Sequence, residues 1–264
     1  MGKFTDLLKK VADERLDRME KLDRRTQVKY EFVAKKTVES NIDPRIVAFY
    51  DPISPVTEQY RTLRTNLAAL STSAKPIKAI AITSATHGEG KTISSINLAI
   101  TLARDLNNKS VLLVDADMRR SKVSRYMGIP PHAGLSEMLG NDTACDEGLL
   151  NINGIPNLTV IQAGKHPNNP AELLGSTKMR ELLTKLKARF DFIIIDAPPV
   201  VPVTDVGIFG KLMDGVLMVV QANRTQKGVV KHAITLLKQA QSELLGYVLT
   251  DIRYHIPAYI YRYL

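Results

Sequence analysis

Three groups of residues in this sequence have types and spacings suited to handling a phosphate. The run Ser84-Ala85-Thr86-His87-Gly88-Glu89-Gly90-Lys91-Thr92 sets two glycines, a lysine and a hydroxyl side by side. Gly88 and Gly90 let backbone N–H groups curl around phosphate oxygens, Lys91 brings a compact cation, and the Thr92 hydroxyl can ligate Mg²⁺. A strict phosphate-binding loop carries glycine where Ala85 stands. Asp115 and Asp117 follow the aliphatic run Val111–Val114, and Asp196 follows Phe192–Ile195, just before Pro198 and Pro199. Singly these acids read as strand-end caps or turn formers. Beside a phosphate site their hard oxygens suit Mg²⁺, and a carboxylate can also take the proton of an attacking hydroxyl. The third group is Tyr254, Tyr259, Tyr261 and Tyr263, four of the nine tyrosines, all in the last 11 residues. Even spreading would put about 0.4 there. The same stretch alternates at period two, which is also the pattern of an edge strand.

Something must bring these groups together. Short aliphatic runs at Ala79–Ser84, Val111–Val114, Leu158–Ala163, Phe192–Ile195, Gly215–Val220 and Tyr247–Leu249 read as buried strands. Segments of helical pattern, Lys91–Leu106, Lys178–Phe190 and Gly228–Leu244, lie between them. This alternation predicts an α/β fold of the P-loop NTPase kind, with a mostly parallel sheet covered by helices on both faces. In such a sheet the carboxyl ends of the strands line the ligand crevice, so all three acids are expected to converge on the loop at 84–92.

The flanks are of a different character. Residues 1–45 are charge-dense, with Phe4, Leu7, Leu8, Val11, Leu16 and Met19 at helical spacing, and predict a helical extension. Pro44, Pro52 and Pro55 mark a linker at Asn41–Pro55. Ser54 is placed to cap the next helix, with Pro55 at its first position. That helix carries the apolar stripe Tyr60, Leu63, Leu67 and Leu70, with Glu58 and Arg61 projecting away from it and Arg64 at its flank. The expected organisation is an extension at 1–45, a nucleotide-binding domain at 46–253 and a tyrosine-rich tail at 254–264.

Composition removes several classes. The 36 Lys+Arg and 27 Asp+Glu leave a net charge of +9, yet residues 1–50 mix 12 basic with 9 acidic residues and form no concentrated basic run, so no nucleic-acid partner is expected. Cys145 is the sole cysteine, which excludes a disulfide framework. No apolar run approaches the roughly 20 residues of a membrane span, and Met1–Asp6 has no apolar signal core, so the expected compartment is the cytoplasm.

Taken in order, these motifs resemble those of the bacterial tyrosine kinases, the cytoplasmic autokinases of capsule and exopolysaccharide production, over Asp51–Leu264. The matches are Glu58, Arg61 and Arg64 for the family's Glu-x-x-Arg-x-x-Arg helix, and the loop Gly88-Glu89-Gly90-Lys91-Thr92-Ile93. Asp115, Asp117 and Arg119 match its Asp-x-Asp-x-Arg motif, Asp196–Pro199 its Asp-x-Pro-Pro motif, and the tail its tyrosine cluster. The family has proline where His87 stands. Its relatives among partition and division-site ATPases have a second lysine where Thr86 stands. The resemblance implies ATP with Mg²⁺. Residues Gly88–Ile93 would hold the nucleotide, and Thr92, Asp117 and Asp196 the metal, some through water. Lys91, Asp115, Asp117 and Asp196 would be catalytic, with Asp115 as base for the phenol and Arg119 neutralising charge or pairing with an acid. It further implies a ring-like homo-oligomer through Glu58, Arg61 and Arg64, with tail tyrosines as phosphate acceptors between subunits. A membrane-spanning polysaccharide co-polymerase adaptor would hold the protein at the inner face of the membrane. A non-kinase ATPase switch and a nucleotide-binding regulatory module of a polysaccharide assembly complex are the alternatives.

Overall fold

Eight strands and nine helices order the described part of the chain, which in this computed structural model comprises residues 36–38, 41–72, 75–140, 145–203 and 205–252. Most of the extension at 1–45 and all four tail tyrosines lie outside these residues. In chain order the elements are β1 (Lys36–Val38), α1 (Val47–Tyr50), α2 (Pro55–Leu70), β2 (Ala79–Ser84), α3 (Lys91–Ala103) and β3 (Val111–Asp115). They continue with α4 (Val123–Met127), α5 (Leu135–Gly140), β4 (Leu150–Ile152), β5 (Leu158–Ile161), α6 (Pro170–Gly175) and α7 (Thr177–Arg189). The last are β6 (Phe192–Asp196), α8 (Asp205–Phe209), β7 (Gly215–Gln221), α9 (Lys227–Gln239) and β8 (Leu244–Thr250).

The strands form one sheet in the order β1-β4-β5-β3-β6-β2-β7-β8. Every pairing is parallel except β4 with β5. Strands β2, β3 and β5 are buried along their whole length, as expected of aliphatic runs with a helix layer on each side. Helix α3 is buried over 12 of its 13 residues, so it is enclosed nearly all round rather than along one stripe, with polar side chains such as Lys91, Thr92, Ser95 and Asn97 among those buried. The chain leaves β2 through α3 to β3, returns to fill the space between them with β6, and then crosses to the other side of β2 with β7. That reversal opens the crevice at the carboxyl end of β2. The register fixes what lines it: Asp115 pairs with Asp196, and Asp196 pairs with Ile82 near the end of β2.

Three local readings change. The stretch 41–55 is a packed segment, not a free linker. Ile42, Ile46 and Ala48 are core residues, Asn97 accepts the Ala48 N–H at 2.9 Å, and Arg104 donates to the Ala48 carbonyl at 2.6 Å while lying over the Phe49 ring. The prolines there, Pro44, Pro52 and Pro55, are themselves exposed. Ser54 does cap α2, accepting the Thr57 N–H at 3.2 Å. Lys36–Val38 joins the sheet, so packing begins ahead of residue 46. Finally, β1 and β4, of three residues each, are too short to display a period. The pattern read as one helix to Leu244 stops at Gln239, where Gln241 takes a positive φ of 55° and the chain re-enters the sheet as β8.

Candidate active site: a phosphate-binding loop among buried carboxylates

Between β2 and α3 the backbone turns at two left-handed residues, Gly88 at φ 82° and Gly90 at φ 92°. A side chain there would be strained, and at Gly88 a Cβ would also stand 3.1 Å from the Arg224 guanidinium. Ala85 has no positive φ and is fully buried, which is why alanine is tolerated where a strict loop has glycine. The loop is pinned from behind. Glu89, 1% exposed, takes the Thr86 N–H on Oε2 at 2.6 Å and the Thr225 hydroxyl on Oε1, while its own carbonyl accepts from Thr250 at 2.8 Å. Arg224 donates to the Gly88 carbonyl at 3.1 Å. Glu89 is thus turned away from a ligand, and what it offers a nucleotide is a fixed loop shape.

Lys91 opens α3 and reaches across the crevice. Its Nζ lies 2.7 Å from Asp117 Oδ2 and 3.8 Å from Asp196 Oδ1. Burial disfavours its charge, but the carboxylates of Asp196 and Asp117 outweigh that and hold its pKa above the usual lysine value. The Thr92 hydroxyl donates to Asp196 Oδ2 at 2.7 Å, and Ser95 Oγ stands 3.2 Å from Asp196 Oδ1. Asp115 is fully buried. Its Oδ2 accepts the Lys122 and Val123 N–H groups at 3.2 and 3.1 Å, and its Oδ1 accepts that of Asp117 at 3.1 Å. Burial first, and the charge of Asp196 second, push the Asp115 pKa up to about 8. Burial also raises Asp196, against the opposing pull of Lys91.

Three carboxyls facing one ammonium leave the site short of positive charge. That shortage, together with hard oxygens from Thr92, Asp117 and Asp196, fits a divalent cation. No cluster of three or more His, Cys, Asp or Glu residues suited to metal binding occurs among the described residues, so Mg²⁺ here would draw its remaining ligands from phosphate and water. In front of the loop is a cavity of about 180 Å³, bounded by Gly88, Gly90, Lys91, Thr92, Ile93 and Asp117.

The structure therefore brings Gly88, Gly90, Lys91, Thr92, Ile93, Asp117 and Asp196 to one place, with Asp115 directly beneath. Arg119 does not join them. It forms a two-pronged pair with the buried Asp205, at 2.9 and 3.0 Å, which resolves its two expected roles in favour of pairing. On α2, Glu58 and Arg61 form an exposed pair at 3.0 Å, whereas Arg64 turns inward to the Thr101 carbonyl at 3.1 Å and to Asp105. Sequence reasoning missed the other wall of the cavity, made by Arg45, Arg120, Lys122 and Tyr126. Arg45 comes from the presumed linker, and no local pattern links it to a loop more than 40 residues away. A larger groove of about 600 Å³ between α2 and β8 is mostly apolar and contains none of the acids.

A buried lysine at a glycine loop, a hydroxyl and strand-end carboxylates on a parallel sheet define a P-loop nucleotide-binding protein. Comparison with known proteins narrows the class. The family model described as "AAA domain" matches residues 77–246. Tyrosine-protein kinase YwqD of Bacillus subtilis is 35% identical over 215 residues, covering 81% of this chain and 89% of the relative. The crystal structure of the chimerical protein CapA2B2 superposes with a TM-score of 0.75 at 30% identity, covering 83% of this chain and 94% of that one. The cell division ATPase MinD of Pyrococcus furiosus reaches a TM-score of 0.55 at 25% identity, over 65% and 71% of the two chains. The chain belongs to the bacterial tyrosine-kinase family.

Proposed function

We propose that this protein transfers the γ-phosphoryl group of ATP to tyrosine hydroxyls, including Tyr254, Tyr259, Tyr261 and Tyr263 of a neighbouring copy, and thereby regulates capsule or exopolysaccharide synthesis. The observation that carries this reading is the convergence of Lys91, Thr92, Asp117 and Asp196 at the mouth of the glycine loop, in a chain whose relatives are named tyrosine kinases.

In the reaction the phenolic oxygen forms a bond to Pγ while the bond from Pγ to the bridging β,γ-oxygen breaks, giving phosphotyrosine and ADP. Catalysis of such a loose transition state is chiefly positioning and charge neutralisation. Lys91 leaves the acids and holds the β- and γ-phosphates. Mg²⁺, held by Thr92, Asp117 and Asp196, partly through water, would neutralise phosphate charge. The phenolic proton passes to Asp115, whose proton affinity is raised by burial and by the charge of Asp196. Each carboxylate oxygen has two acceptor sites, and Asp115 Oδ1 uses one for the Asp117 N–H. Asp117 lines the cavity wall, and its backbone N–H ties it to Asp115, which lies outside the lining.

Assembly completes the account as a proposal. The exposed Glu58–Arg61 pair is offered to a neighbouring copy in a ring-like oligomer. A membrane-spanning adaptor brings the protein to the inner face of the membrane; no helix among the described residues is long and apolar enough to cross one. The likeness to MinD supports a second reading, a nucleotide switch that releases phosphate without passing it to protein. Mass spectrometry of the tail after incubation with ATP and Mg²⁺ separates the two. Phosphate on tail tyrosines is the expected result, and phosphate release with an unmodified tail overturns the kinase reading.

A further inference from the structure

The cavity before the glycine loop has cations on the wall that faces the loop as well as on the loop itself. Arg45, Lys91, Arg120 and Lys122 surround it, and Asp117 is the one carboxylate in its lining. Lys91 is committed to the loop side through Asp117 and Asp196. Arg45 is fixed in place: Asp43 takes its Nε at 2.8 Å and its Nη2 at 2.7 Å, and the guanidinium stacks 4.8 Å over the Tyr126 ring. Arg120 and Lys122 are exposed, and neither side chain has a hydrogen bond or ion pair among the described residues. Their charges are felt locally, since burial first and Arg120 second lower the proton affinity of His87, which shares the cavity. A rim with two unneutralised cations and a third that is pre-oriented is chemistry for a dianion outside the nucleotide.

We infer that Arg120 and Lys122, backed by Arg45, form a binding site for a phosphotyrosine already present on the acceptor chain, so that one transfer primes the next. This rests on the kinase reading above and names what its acceptor side recognises. Phosphate on a tyrosine carries about −1.5 to −2 charges at neutral pH and three acceptor oxygens, which suit a guanidinium and an ammonium. The spacing of the tail fits. Tyr259, Tyr261 and Tyr263 stand two residues apart, so in an extended strand their side chains share one face about 7 Å from each other. With one phenol at the loop, its neighbour on the same face would stand about 7 Å away, and the rim lines the same cavity as the loop. The side chains of the unmodified tail bring Arg253 and Arg262, of the same sign as the rim, and no acidic residue. The first transfer is therefore slow and later ones faster.

The test uses the full chain and synthetic peptides of residues 253–264, unmodified or phosphorylated at Tyr261 alone. Fluorescence anisotropy of labelled peptide, with ADP and Mg²⁺ present, reads binding without turnover. The wild type is expected to bind the phosphorylated peptide about tenfold more tightly than the unmodified one, with the advantage shrinking as salt rises. In the Arg120→Ala/Lys122→Ala variant, checked for an unchanged melting temperature, the ratio between peptides is expected to fall to about one. Equal binding of the two peptides by the wild type, or a ratio that survives in the variant, overturns the inference. If the variant weakens ATP binding while the peptide ratio is kept, the rim belongs to the nucleotide. A chain that prefers the phosphopeptide but transfers no phosphate refutes the kinase reading and leaves the rim standing.

Discussion

Asp115 sits in an environment far from water. It is wholly buried, with its pKa pushed up to about 8, first by burial and then by Asp196. Because the folded value lies above the unfolded 3.8, the stability linked to this group is fully present below about pH 4 and is lost as pH rises through about 8. Asp115→Asn removes that dependence. In urea unfolding between about pH 5 and pH 8.5, the wild type is expected to lose stability relative to the variant as pH rises; a constant difference contradicts the burial argument. In phosphoryl transfer the same variant is expected to lose about 10²- to 10⁴-fold in rate. Lys91→Met acts differently. It leaves the carboxyls around it without their cation, so it should cost about 3–5 kcal/mol in apo stability as well as abolish ATP binding. Calorimetric titration with ATP, together with denaturation of the same sample, checks both effects.

At the scale of elements, two carboxylates hold the parts of the site in register. Asp214, in the turn before β7, accepts the N–H groups of Lys78 and Ala79 at 2.9 and 2.8 Å and the Lys187 ammonium at 2.6 Å, tying β2, α7 and β7 together. Burial pushes its pKa up, but the Ala79 N–H and the Lys187 contact outweigh it, and the net value is lowered. A lowered value means stability present above the unfolded 3.8 and lost as pH falls through the folded pKa. Asp214→Ala is expected to cost about 2–3 kcal/mol at neutral pH. Chemical denaturation should find the gap to wild type closing below about pH 4, and a gap that persists in acid is evidence against the linkage. Glu89 plays the corresponding part for the loop. Glu89→Ala frees the Thr86 N–H and the Thr225 hydroxyl, and titration with a fluorescent ATP analogue is expected to give a dissociation constant about tenfold higher. Unchanged affinity would mean that the glycines alone set the loop.

What the sequence made legible follows from range. The loop, its helix and the acids at the ends of β3 and β6 are each encoded within a few consecutive residues, and parallel-sheet topology then forces them together. The pairing of Arg119 with Asp205, of Glu89 with Thr225 and of Arg45 with the cavity spans 86, 136 and more than 40 residues. No local period carries such information. The prolines at 44–55 signalled a break in pattern correctly, but a break reads the same whether the segment is solvated or, as here, packed on α3.

For the whole molecule the governing quantity is charge. The chain carries +9, and phosphorylation of Tyr254, Tyr259, Tyr261 and Tyr263 would add about −6 to −8. Neighbouring tails that start positive and end negative should hold assembled copies differently before and after transfer. In sedimentation velocity, the variant with all four tail tyrosines changed to Phe is expected to stay assembled with ATP, while the phosphorylated wild type dissociates. Equal assembly of the two contradicts this. The central claim, that the loop and its carboxylates transfer phosphate to tyrosine, is tested most directly by incubating the full chain with γ-labelled ATP and Mg²⁺ and measuring phosphotyrosine against free phosphate. The account predicts acid-stable label on tyrosine in the wild type and none in Lys91→Met. Label recovered solely as free phosphate, or tyrosine label that survives Lys91→Met, would contradict it.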